Sequence, residues 1–179
     1  MPTIISHAVV PLAIGIGLGR ARLPTGLLVA GMLCAMLPDA DVVAFVVGIP
    51  YADSFGHRGA SHSLPAAVLV GLLAFAVCHR IAAPPVLAAL FLAMSTASHG
   101  LLDMFTDGGL GVALYWPVSD VRISAPVRPI EVSPIGRDFL SMRGLAVLAS
   151  EIVWVWLPCV LLACALRFGL PAQVPAWRT

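Results

Sequence analysis

The chain reads as a series of apolar runs broken by short polar clusters. Residues 8–19 are apolar and close at Arg20 and Arg22, and residues 25–37 are apolar and close at Pro38-Asp39-Ala40-Asp41. A shorter apolar patch, 42–49, ends at Pro50. A polar island follows it, Gly56-His57-Arg58-Gly59-Ala60-Ser61-His62-Ser63. Residues 64–78 run apolar to His79-Arg80, Pro84-Pro85 turns the chain, and 86–98 run apolar to His99, with Asp103 and Asp107 beyond. Residues 108–143 change character: Gly, Pro, Val and Arg recur, with alternating stretches such as Val112-Ala113-Leu114-Tyr115-Trp116. The run 145–166 is full-length, interrupted by Glu151 and Pro158. The pattern predicts helices over about 4–19, 25–37, 64–79, 86–106 and 145–167, and a cap of short strands or irregular loops over about 108–143.

Composition says what solvent these helices meet. The chain has 179 residues, 60% of them hydrophobic and 11% charged, with mean hydropathy +0.99. A soluble domain carries about 25% charged residues, so this chain lacks the polar surface to cover its apolar side chains in water. The expectation is an all-α integral membrane protein: a single membrane domain over 1–179, about five transmembrane or partly spanning helices, and an extramembrane cap loop. The lipid bilayer is the expected partner. A net charge of +1 gives no electrostatic footprint for nucleic acid. Cys34, Cys78, Cys159 and Cys164 all lie in apolar runs without a CxxC pair and read as buried free thiols. The first apolar run has no basic segment before it and no A-x-A pattern after it, so it reads as a retained helix.

The polar clusters then fall into place. If the helices alternate direction through tight turns at 20–24 and 80–85, the clusters at His7, Asp39/Asp41, His57/His62 and His99/Asp103 land on one side. Each lies about 12–17 residues from an Arg-bearing turn, roughly 18–25 Å at ~1.5 Å per residue. That is short of the ~30 Å hydrocarbon thickness, so they are predicted to meet at or just below one membrane face.

Imidazole and carboxylate are the ligands of zinc and related divalent ions. His99 and Asp103, at i and i+4, share a helix face. An uncompensated carboxylate at Asp39 or Asp41 would be costly near lipid, and a cation removes that cost. The metal candidates are His7, Asp39, Asp41, His57, His62, His99 and Asp103. They exceed the needs of one tetrahedral ion, so one or two divalent ions are expected, zinc first among them, with the surplus in supporting or general-base roles. The catalytic candidates are Asp41, as a base if it is not a ligand, and Arg58, facing developing negative charge. Plainer readings stand beside these. Helix capping suits Asp39 and Asp41, turns suit Asp53 and Asp107, and surface hydrogen bonding suits His79. Glu151 suits either function or pairing with an arginine, and Arg58, Arg122 and Arg128 either a phosphate clamp or the interface.

The segments "LPDAD", "GHRGASHSL", "SHGLLDMFTDGG" and "LYWPVS" together resemble the YdjM-type family of bacterial inner-membrane, metal-dependent hydrolases, some described as LexA-regulated. The resemblance covers about residues 3–140, with Ser61 where Thr is common. It implies that the same seven residues form a metal site. More distantly, the order His, Asp, His, then HxxxD is similar to the helical zinc-dependent phospholipase C and nuclease group. That group hydrolyses phosphate esters at a metal cluster, but this chain has no second His-rich stretch after Asp103. The implied function is a membrane-embedded hydrolase acting on a phosphoester such as a lipid headgroup. A metal-binding transporter or sensor is the alternative, and a structural membrane protein the third reading. Arginines divide evenly: 20, 22, 80, 167 and 178 on one side; 58, 122, 128, 137 and 143 on the other. If Arg58 and Arg128 belong to the site, the remainder tilts the site toward the periplasmic face.

Overall fold

The computed structural model describes residues 1–77, 83–134 and 136–171, with 136 and 137 as backbone only. Cys78, His79, Arg80 and Arg178 therefore lie outside the described residues. The architecture is all-helical: α1 (Ile4–Leu18), α2 (Thr25–Met36), α3 (Val43–Val46), α4 (Leu64–Val77), α5 (Pro85–Met104), α6 (Met142–Glu151) and α7 (Leu157–Gly169). Proline sets several starts. Pro24 precedes α2, and Pro84 precedes α5 with Pro85 in its first turn, where a missing N–H costs nothing. Gly19, at φ 73°, ends α1 in the left-handed region.

Several helices join into longer rods. A 3₁₀ segment, Leu37–Val42, links α2 to α3, so Thr25–Val46 forms one 22-residue apolar rod. A π-helical turn, Ile152–Trp156, links α6 to α7, and Met142–Gly169 forms another of 28 residues. With the 20-residue α5, these are, among the described residues, the three helices long and apolar enough to cross a membrane. The last begins at Met142 rather than near 145. Helix α1 is shorter, 15 residues, or roughly 22 Å, and α4 runs over Leu64–Val77 within the described residues.

The outer faces are what a bilayer requires. On α4, Val68, Leu69, Leu72 and Leu73 are each more than half exposed, an arrangement with no stabilisation in water and none of its penalty in lipid. Helix α5 packs between α4 and α2, and α1 packs between α2 and α7. One core gathers Leu23, Leu27, Ala74, Ala88, Phe91 and Leu92; a second gathers Ala13, Ile130, Val155, Cys159 and Ala163. Helix contact in lipid relies on close backbone approach, and two glycines provide it. A Cβ on Gly31 would sit 2.3 Å from Phe91 Cε1, and one on Gly71 would sit 2.8 Å from the Ala89 carbonyl oxygen.

The two ends of the bundle differ. At one, the Arg22 guanidinium donates to the Pro171 carbonyl, tying the turn after α1 to the end of α7. At the other lie the start of α1, the 3₁₀ segment and the ends of the polar island and α5. Over this second end folds the segment after α5. Among the described residues it has no strand, only isolated bridges, Thr106 with Ile130 and Val112 with Ile123. It is laced down by Ala113 N–H to Arg58 O (3.0 Å), Ala125 N–H to Met104 O (2.8 Å) and Leu64 N–H to Leu114 O (2.9 Å).

Candidate metal centre

Four of the seven candidate ligands, Asp39, His62, His99 and Asp103, converge on one point, and His7 lies against two of them. His99 Nε2 lies 3.0 Å from His62 Nε2 and 3.3 Å from Asp39 Oδ1. His62 Nε2 lies 3.4 Å from Asp103 Oδ2 and 3.9 Å from Asp39 Oδ1. His7 Nε2 lies 3.7 Å from Asp103 Oδ1 and 4.0 Å from Asp39 Oδ2. The His7 ring stacks on His99 with centroids 3.6 Å apart. All five side chains are almost fully buried, none above 3% exposed.

The backbone explains the convergence. His99 and Asp103 sit one turn apart on α5. Gly100 beside them has no Cβ, which would fall 2.4 Å from the His62 carbonyl oxygen. That close approach sets the polar island against α5 and brings His62 to His99. In a 3₁₀ helix successive residues turn by about 120°, so Asp39 and Asp41 point to different sides. Asp39 turns inward to the three imidazoles. Asp41 turns to the polar island, where its Oδ1 lies 2.6 Å from His57 Nδ1 and its Oδ2 accepts from Ser61 Oγ (2.6 Å) and Arg58 N–H (3.2 Å).

The hydrogen bonds also assign the imidazole tautomers. His99 Nδ1 donates to the Ala35 carbonyl at 2.7 Å, and His62 Nδ1 lies 3.1 Å from Asp41 Oδ2. With a proton on Nδ1, His99 presents an Nε2 lone pair to the centre, and His62 does so once its second proton leaves, the arrangement by which carboxylates and carbonyls orient metal-binding histidines. For His62, burial works to lower the pKa. The Asp103 and Asp41 carboxylates overcome it and hold the group raised to about 8.

No hydrogen-bond donor among the described residues reaches either oxygen of Asp39 or Asp103, or either nitrogen of His7. Arg58 Nε lies 3.0 Å from Asp103 Oδ2, close enough to pair in charge but not aligned as a hydrogen bond. Two buried carboxylates lacking donors are far more costly than a ligand set around a cation. Metal–ligand bonds of about 2.0–2.2 Å imply ligand atoms roughly 3–4 Å apart in tetrahedral or octahedral geometry. The observed 3.0–4.0 Å fits that range. Asp39, His62, His99 and Asp103 make one potential ligand group, and Asp41, His57 and His62 a second. In the second, the 2.6 and 3.1 Å separations are those of hydrogen bonds.

Arg58 and Arg122 are engaged by the loops around the centre. Arg58, 1% exposed and held at φ 61°, donates to Gly108 O (3.0 Å) and Thr106 Oγ1 (2.9 Å). Arg122 donates to the carbonyls of His57, Tyr51 and Asp53 at 2.9 Å. Arg128 is exposed. Asp107 accepts from Val132 N–H and Asp53 from Phe55 N–H, both as loop residues. Among the described residues Glu151 pairs with no arginine; it accepts from Thr3 and Ser6. Cys34, Cys159 and Cys164 are unbridged, but only Cys159 is buried; Cys34 is half-buried and Cys164 exposed on the outer face of α7. Sequence reasoning gave no role to Thr3, Ser6, Thr106 or Trp156. Such isolated hydroxyls and indoles carry no spacing signal.

Two cavities flank the centre. One, about 230 Å³, is lined by Phe45, Tyr51, His57, Arg58 and Val132 among others. The other, about 360 Å³, has Ile4, Ile5, Val42, Pro134 and Phe139 in its walls and reaches Asp39.

No solved structure matches the chain. The inner membrane protein YbcI of Escherichia coli (strain K12) is 48% identical over 164 residues, covering 90% of this chain and 95% of that protein. The model of the family described as YdjM inner membrane protein matches residues 1–175. With its apolar spans, and with a buried histidine–aspartate cluster able to hold a metal ion, this chain belongs to the YdjM family of inner membrane proteins.

Proposed function

We propose that this protein is a metal-dependent hydrolase embedded in the inner membrane, acting on a phosphoester at headgroup depth. The observation that carries the reading is the pair of buried, donor-less carboxylates, Asp39 and Asp103, facing the nitrogens of His7, His62 and His99. Asp39, His62, His99 and Asp103 would hold one divalent ion of the zinc type, with His7 at its edge, and that ion would supply Lewis acidity for polarising an ester and acidifying water.

The remaining residues divide the work around it. Asp41 keeps His62 in the tautomer that offers Nε2 and orients His57 through its other oxygen. His57 is thus the better candidate for moving a proton, because its Nδ1 is fixed on Asp41 while its ring lines a cavity beside the centre. Asp41 acts as the orienting carboxylate, and Arg58 offsets the charge of Asp103. A lipid phosphoester suits the surroundings: the wall that includes Asp39 is otherwise largely Ile4, Ile5, Val42, Pro134 and Phe139, fit for acyl chain rather than water.

The test is metal content and turnover together. Purified wild-type protein is expected to carry about one divalent ion and to cleave a chromogenic phosphodiester. His99→Ala is expected to lose the ion and at least about a hundredfold in rate. Full retention of both by His99→Ala would remove the proposal.

A further inference from the structure

We infer that Glu151, far from the ligands in sequence, is the residue that positions His7, and that the π-helical turn after it exists to make this possible. The inference rests on the metal reading above. Of the three histidines, His62 and His99 each have a partner for Nδ1, Asp41 Oδ2 and Ala35 O. Neither nitrogen of His7 has one among the described residues. Its orientation must therefore come from the placement of its helix and from stacking on His99.

That placement is made by one buried carboxylate. Glu151, 0% exposed, accepts from the Thr3 N–H, from Thr3 Oγ1 at 2.7 Å and from Ser6 Oγ at 2.6 Å. Trp156 Nε1 donates to the same Ser6 Oγ at 2.7 Å. The first turn of α1, up to the residue before His7, is thereby clamped to the last span. Thr3 and Ser6 do not cap the helix themselves; Thr3 makes no side-chain cap bond. The carboxylate of a distant helix takes that office, at the positive end of the α1 dipole.

The π turn supplies the geometry. In an α-helix, residues five apart project roughly 140° from each other, so Glu151 and Trp156 would not both face α1. With i→i+5 closure the same separation brings them to about 50° of each other. Ile152–Trp156 is that turn, so both side chains reach Ser6.

The experiment uses the full chain in detergent with cobalt(II) as probe, reading stoichiometry, Kd and the visible absorption band. Wild type is expected to bind about one cobalt. Glu151→Ala is expected to raise Kd about tenfold, the low end for residues that orient ligands, and to move the band toward that of His7→Ala. Glu151→Gln is expected to restore the wild-type band, since its amide can accept from the Thr3 N–H and donate to the two hydroxyls. Should Glu151→Ala not fold, Trp156→Phe tests the same clamp and is expected to shift the band part of the way. Wild-type spectrum and Kd in both Glu151→Ala and Trp156→Phe would overturn the inference while leaving the metal reading intact. A wild-type protein that takes up no stoichiometric cobalt removes both.

Discussion

Helices α5 and α1 both bring candidate ligands to the centre, but by opposite means. Helix α5 is set by apolar contact. Phe91 fits against Gly31, Ala89 and Ala93 against Gly71, and the polar island against Gly100. Helix α1 is set at its start by a polar clamp, three acceptor contacts at Glu151 and an indole N–H. The first means is stiff because a glycine that admits a neighbour at under 3 Å admits nothing else. The second is directional and, in a low-dielectric setting, strong only while every partner is present. A ligand set built from both is held by shape on one flank and by hydrogen bonding on the other.

The comparison predicts a graded series of effects. The largest belongs to Asp103→Ala on α5, which removes a ligand and strands Arg58 with its buried charge. Removing one partner of a buried pair costs about 3–5 kcal/mol. The variant is expected to be metal-free by elemental analysis and to show a markedly lowered denaturation midpoint in detergent.

Next is Gly100→Val, which touches no ligand atom but places carbon against the His62 carbonyl. The polar island must retreat from α5. Metal affinity is expected to fall about a hundredfold while the helix content by circular dichroism stays near wild type. Wild-type affinity in that variant would mean that His62 is not set by the shape of α5.

The smallest effect is one of pH. His62 is held at a pKa raised to about 8 in the metal-free protein, against 6.5 ordinarily. An ion must displace that proton. Affinity for cobalt is expected to climb about tenfold per pH unit up to about 8 and then level off, as isothermal titration would read. The stability of metal-free protein runs the other way. A folded pKa above the unfolded one stabilises fully below about pH 6.5, and the contribution is lost as pH rises through about 8. Thermal unfolding of chelator-treated samples across that window checks the sign.

Much of this was legible in the residues. The apolar runs and their proline and glycine stops mark the helices, and HxxxD on an apolar helix marks His99 and Asp103 as one face. What could not be read was geometry below the helix scale. Asp39 and Asp41 look equivalent in sequence; the 3₁₀ path through Pro38 turns one to the imidazoles and the other to His57. Arg58 looks available for a substrate, yet its guanidinium faces Asp103, Thr106 and Gly108. Ile-Val-Trp-Val-Trp carries no mark of a π turn, because its side chains are apolar whichever way the helix winds. Glu151 stood out as an intramembrane carboxylate, but its partners lie some 145 residues earlier and leave no local trace.

The brevity of α1 has a consequence for the membrane itself. At roughly 22 Å it falls several ångströms short of the ~30 Å hydrocarbon layer. A bilayer meets such a mismatch by thinning beside the short helix, at a modest cost per ångström. Thinning lowers the phosphate plane of that leaflet toward the depth of His7, at the start of α1. The lipid next to the protein is thus drawn to the candidate ligands by the length of one helix, before any specific contact is made.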